Sequence, residues 1–95
     1  MNAPNLSLAK FPLGQIVATP NALERLAQGV ILAGIQRHQS GDWGDVPEED
    51  RQENELSLQQ GFRLLSAYCS AQGVSFWIIT ESDRRVTTVL LPEDY

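Results

Sequence analysis

The chain is poor in the residues from which most active sites are built, with one cysteine, Cys69, and one histidine, His38, in 95 residues. A single thiol excludes an internal disulfide and a thiolate cluster for zinc. No P-loop, GxGxxG, HExxH, EF-hand or zinc-finger spacing occurs, so neither a nucleotide cofactor nor a structural metal is expected. Apolar runs fall short of the roughly 18–20 residues that span a membrane. The first residues also lack the basic and apolar segments of a secretory signal, so a cytoplasmic protein without membrane contact is expected. Internal repeats and low-complexity tracts are absent as well.

Basic side chains are scarce too. Seven Lys and Arg face twelve Asp and Glu, for a formal charge of −5. Seven acids (Asp42, Asp45, Glu48, Glu49, Asp50, Glu53 and Glu55) fall within fourteen residues, opposed only by Arg51. Such a surface repels nucleic acid unless Arg63, Arg84 and Arg85 form a separate basic face, and it attracts a basic partner. A helix-turn-helix over residues 20–40 fits by length, yet its second segment lacks the basic and amide side chains that read a major groove.

What is present suffices for one globular domain over residues 11–95. Apolar residues make up 42% and charged residues 20%, and residues 1–10, without a clear period, read as a flexible arm. Residues 15–18 are β-prone. Thr19 caps a helix over about 20–28, with Pro20 at its first position. Val30 to His38 reads as a second helix ending near Ser40, with a buried strand over 30–35 as the competing reading. Gly41-Asp-Trp-Gly44 is a loop. Asp45, Pro47 and Glu48 then start a helix that runs to about Gln60, anchored by Leu56 more than by Leu58 and closed by Gly61. From Phe62 the period becomes two: residues 63–69 and 74–80 flank a hairpin loop at 70–73, and residues 85–91 form a third strand ended by Pro92. The expected architecture is α+β, with two or three helices packed on a three- to four-stranded antiparallel sheet. Both faces of the 75–80 strand carry apolar residues, so either the N-terminal segment covers it or a homodimer does.

His38 is the first residue to consider for acid–base chemistry near pH 7, with Asp42 close enough to orient it; otherwise it is a helix-end residue complementing the dipole. Cys69 is a nucleophile only if His38 meets it, and otherwise belongs to the core. Trp43 is either an exposed recognition anchor or a plug that pins its loop. Glu81, Asp83 and Arg84 either hold a turn together or, with Arg63 and Thr87 or Thr88, present a phosphate-binding surface.

Two resemblances follow from these motifs. Gln15-Ile-Val-Ala-Thr-Pro20, His38 with Gly41-Asp-Trp-Gly44, Arg63 to Tyr68, Trp77-Ile-Ile-Thr-Glu81, Asp83-Arg84, Thr87-Thr88 and Leu91-Pro92 resemble a family of short bacterial proteins of plasmids, integrated elements and phages. Some of that family are labelled as associated with type I restriction systems. The resemblance places the chain in a mobile element, and the leading expectation is a non-enzymatic accessory protein, monomer or homodimer, that modulates a host defence or nucleic-acid enzyme by binding a bacterial protein through the acidic helix and the Trp43 loop. Asp42, Trp43, Glu48, Glu49 and Glu53 are the candidate contacts. The C-terminal third also resembles the sheet of barnase-like and RelE-like ribonucleases, which implies a metal-independent ribonuclease with His38, Arg63, Arg84 and Thr88 as its catalytic set. Here Arg84 stands where the barnase pattern has a histidine.

Overall fold

A computed structural model describes residues 9–95; the expected arm over residues 1–10 lies mostly outside them. The chain runs β1 (Gln15–Ala18), α1 (Pro20–Arg25), α2 (Gln28–Gln39), α3 (Glu48–Gln60), β2 (Leu64–Cys69), β3 (Ser75–Thr80) and β4 (Val86–Leu90), closing in a 3₁₀ turn at Pro92–Asp94. The fold is α+β, as the change of period from helical to alternating implies. The strands form one sheet in the order β1-β4-β3-β2. β2, β3 and β4 make the expected antiparallel meander, whereas β1 runs parallel to β4 and makes the sheet mixed. Parallel pairing requires a long crossover, and three helices and two strands lie between β1 and β4.

Alternation along the strands separates two faces. Leu64, Ser66 and Tyr68 of β2, Phe76, Ile78 and Thr80 of β3, and Thr87 and Val89 of β4 are buried, and the pairing puts them side by side. Helix α2 covers this inner face. It lies so close that a Cβ on Gly34 would stand 2.9 Å from a Phe76 ring carbon, so any larger residue there must push the Phe76 side chain aside. Ala22, Leu26, Ile35, Tyr68, Phe76, Ile78, Val89 and Leu91 form one core, and Phe11, Trp43 and Leu64 form a second beneath the 41–46 loop.

Several boundaries and burials depart from expectation. Leu26 is extended (φ −117°, ψ 133°) and ends α1 early, so Gly29 falls inside the first turn of α2 instead of breaking a helix. Residues 30–35 are helical, not a buried strand. Pro47, not Asp45, stands at the start of α3, and no side chain caps that end. Glu48, Glu49 and Asp50 occupy the first turn and offset the positive end of the helix dipole. Leu56 is 50% exposed, while Leu58 packs against the second core; the two anchors exchange roles because the buried stripe of α3 runs through Asn54, Ser57 and Leu58. Cys69 is exposed at the end of β2.

The outer edge of β2 is closed by side chain and loop. Asn54 donates to the Leu65 carbonyl (2.7 Å) and accepts from the Leu65 amide (3.1 Å), as a neighbouring strand would. The Ala67 amide donates to the Trp43 carbonyl, and the Ala67 carbonyl accepts from the Asp45 amide. At the chain end, Asp94 accepts from Thr19 Oγ1 and Asn21 Nδ2, both at 2.7 Å, tying the closing turn to the start of α1.

Candidate functional site

His38 lies near the C-terminal end of α2, where the helix presses on the inner sheet face, and its side chain is fully buried. Nδ1 is 2.6 Å from Ser66 Oγ and Nε2 is 2.9 Å from Thr80 Oγ1. Proton bookkeeping fixes the direction of every bond. Thr87 spends its hydroxyl proton on the Leu13 carbonyl (2.7 Å), so the 2.7 Å contact between Thr80 and Thr87 must use the Thr80 proton. Thr80 therefore accepts from His38 Nε2–H, and the neutral ring accepts from Ser66 at Nδ1. Burial, reinforced by the nearby charge of Arg84, pushes the imidazole down to about 4. The ring also packs edge-on against Phe11 and Trp43, at 5.2 and 5.8 Å between centroids. At neutral pH His38 is a satisfied core group, with no nitrogen left for a substrate.

Asp42 does not orient that imidazole. Its carboxylate takes a two-pronged contact from Arg37 (2.7 and 3.2 Å) and the Gly44 amide, and Arg37 holds it below the usual carboxylate range. Arg37 in turn lies over the Tyr68 ring at 4.5 Å, while the Tyr68 hydroxyl donates to the Asp42 carbonyl. Burial raises that phenol to about 12. Trp43 is the plug: its ring is 2% exposed, stacks on Phe11 and donates from Nε1 to Glu55 at 2.8 Å. An interface anchor needs an exposed ring, so Trp43 supports the neighbouring surface from below. Gly44 has φ +76°, and a Cβ there would overlap the Ala67 carbonyl oxygen.

The candidate ribonuclease set converges only in part: Arg84 comes near His38, its guanidinium 5.8 Å from the Phe11 ring that packs on the imidazole, but the other two residues lie elsewhere. Arg63 and Thr88 belong to the outer face of the sheet and His38 packs on the inner one; Thr87, the neighbour of Thr88, is the threonine that joins the histidine network. Arg84 has left-handed backbone (φ 61°), and its guanidinium donates to the carbonyls of Phe62 (2.7 Å), Ser57 (3.1 Å) and Glu81 (3.1 Å). It bolts the β3–β4 turn to the end of α3. Asp83 accepts from the Arg85 amide and closes the same turn.

What remains outside is the acidic face of α3 and a groove beside it. Glu48 pairs with Arg51 at 3.0 Å; Glu49, Asp50 and Glu53 are exposed and have no ion-pair partner among the described residues. Between α3 and the outer side of β2 runs a groove of about 480 Å³. Asp50 and Glu53 line it toward the start of the helix, Ser57 and Leu56 further along, and Phe62, Arg63, Leu65 and Tyr95 across from it. Leu56, Phe62 and Tyr95 are exposed by 50, 54 and 69%. Sequence reading selected Glu53 and missed Asp50, Leu56, Phe62 and Tyr95. A signal existed for Phe62, a large apolar residue directly after the helix-stopping Gly61; none existed for Tyr95, whose ring meets Trp77 only through tertiary folding (5.6 Å).

Among the described residues, no cluster of three His, Cys, Asp or Glu side chains is arranged to hold a metal ion, and no helix is long and apolar enough to cross a membrane. Comparison with protein-family models, curated proteins and solved structures finds no match to the chain.

Proposed function

We propose that this chain is a non-enzymatic accessory protein that acts by binding a basic partner protein through the acidic face of α3. The observation that carries this reading is the contrast between spent and unspent charge. Five of the seven basic side chains lie within 4.0 Å of a carboxylate. A sixth, Arg84, is bonded to backbone carbonyls, while Glu49, Asp50 and Glu53 stand exposed and unpaired among the described residues. Exposed like charges on adjacent turns repel one another in the free protein, and a cationic partner relieves that repulsion. The residues suited to chemistry support the same reading, since His38 and Arg84 are used in holding the fold together. The setting in a bacterial mobile element and the direction toward a host defence or nucleic-acid enzyme rest on the sequence resemblance.

The test is affinity capture from a bacterial host with the wild-type chain and with the triple reversal Glu48→Lys, Glu49→Lys, Glu53→Lys. The expected result is a partner retained by the wild type and lost by the reversal, with retention falling as salt is raised. Retention that ignores the reversal would remove α3 as the binding face.

A further inference from the structure

We infer that the groove between α3 and the outer side of β2 seats a short segment of the partner that is both basic and apolar. Its apolar side chain packs on Leu56, Phe62, Leu65 and Tyr95, and its Lys or Arg meets Asp50 and Glu53. This rests on the reading of α3 as the binding face and narrows it to one seat and one ligand chemistry.

Three features of the groove carry the inference. Its apolar lining faces solvent at Leu56, Phe62 and Tyr95, which are 50, 54 and 69% exposed, although the inner face of the same sheet is fully covered. The groove is graded along α3, with acids at the Asp50 end and apolar groups at the Gly61 end. Asp50 and Leu56 are six positions apart, a rise of about 9 Å along α3, so the cation and the apolar anchor of the occupant bind at different levels along the groove. The one cation in the lining is already committed, because Arg63 lies 3.6 Å from Glu81 and donates to the Tyr95 hydroxyl. An incoming Lys or Arg therefore meets uncompensated negative charge at the other end.

Charge also decides the occupant. Residues 1–8 contain no basic side chain, and Lys10, which follows them, is held beside Gly41 with its amide bonded to the Gln39 carbonyl. A second copy brings a net −5, and its six arginines are spent on its own carboxylates or carbonyls, which leaves Lys10 as its one uncommitted cation among the described residues. Nucleic acid is repelled by the same acids. A basic amphipathic segment of another protein satisfies both ends of the groove.

The test is fluorescence anisotropy with a labelled twelve-residue peptide carrying Leu and Lys on adjacent helical faces. One control peptide has every Leu replaced by Gln and another has every Lys replaced by Glu. Saturable binding of the amphipathic peptide is expected, about tenfold weaker or worse for Phe62→Ser, Leu56→Ser and the pair Asp50→Lys, Glu53→Lys, and similarly weak for both controls. The substituted side chains are exposed, and circular dichroism checks that each variant is folded. Equal binding of the Gln peptide, or indifference to Phe62→Ser, overturns the groove while leaving a charge-only face on α3 intact. Absence of binding by every peptide also overturns it, and in that case partner capture that still depends on Glu48, Glu49 and Glu53 keeps the broader reading. Capture that is indifferent as well removes both.

Discussion

His38 shows how a residue suited to catalysis becomes part of a scaffold. Buried neutral between Ser66 and Thr80, it binds a proton less readily folded than unfolded, so the unfolded chain takes up the proton first as pH falls. The stability it permits is complete above about 6.5 and declines as pH drops from 6.5 toward about 4. A shift of that size corresponds to about 3 kcal/mol. Denaturant unfolding across that window is expected to show the decline in the wild type and a flatter profile in His38→Gln. The paired carboxylate Asp42, held below its usual range, loses its contribution only at lower pH, as pH falls through its folded value, which separates the two effects. Thr80→Val leaves His38 Nε2–H without an acceptor and is expected to cost about 1–3 kcal/mol in the same measurement. A helix-end position for His38 is legible in the sequence, yet its two hydroxyl partners, Ser66 and Thr80, and Thr87 behind Thr80 come from β2, β3 and β4. Their only trace in the sequence is that Ser66, Thr80 and Thr87 fall at inward positions of otherwise apolar strands.

Elements meet here through edges and corners as much as through faces. β2 ends the sheet on one side, and Asn54 together with the Trp43–Asp45 backbone occupies its free hydrogen-bonding groups. At the other side, β1 is only four residues long and is flanked by Pro12 and Pro20, which limits edge pairing. Asn54→Ala removes both bonds to Leu65 and is expected to lower stability by about 1–3 kcal/mol, measured by urea denaturation. Gly44→Ala combines left-handed backbone with overlap on the Ala67 carbonyl, and loss of about 2 kcal/mol or more is expected, with greater hydrogen exchange at the Ala67 amide. The meander and α3 were legible because alternation and stop signals are local. The parallel pairing of β1 with β4 was not, since nothing within Gln15–Ala18 encodes a partner some seventy residues away. Pro47 and not Asp45 stands at the start of α3, and the Asp45 amide bonds the Ala67 carbonyl on the β2 edge, a contact made only by tertiary folding.

At the scale of the whole molecule, the α3 surface is where, among the described residues, unpaired acids stand beside exposed apolar side chains. Six of the seven cations are bonded to carboxylates or carbonyls, the histidine is sealed and Trp43 is turned inward, while α3 and its groove expose acids beside apolar side chains. The acidic segment was legible as seven acids within fourteen residues, but which of them face a groove was not. Helical phase puts Asp50 and Glu53 beside Leu65 and Tyr95 only once β2 has docked. The most direct measurement is site-specific photocrosslinking in the bacterial host, with a photoreactive amino acid at position 53 or 62 and, as control, at the exposed position 85. Crosslinks from 53 and 62 to one shared partner, through a basic and apolar segment and with none from 85, are the predicted result. No crosslink from either groove position, or the same partner captured equally from position 85, would contradict binding through α3.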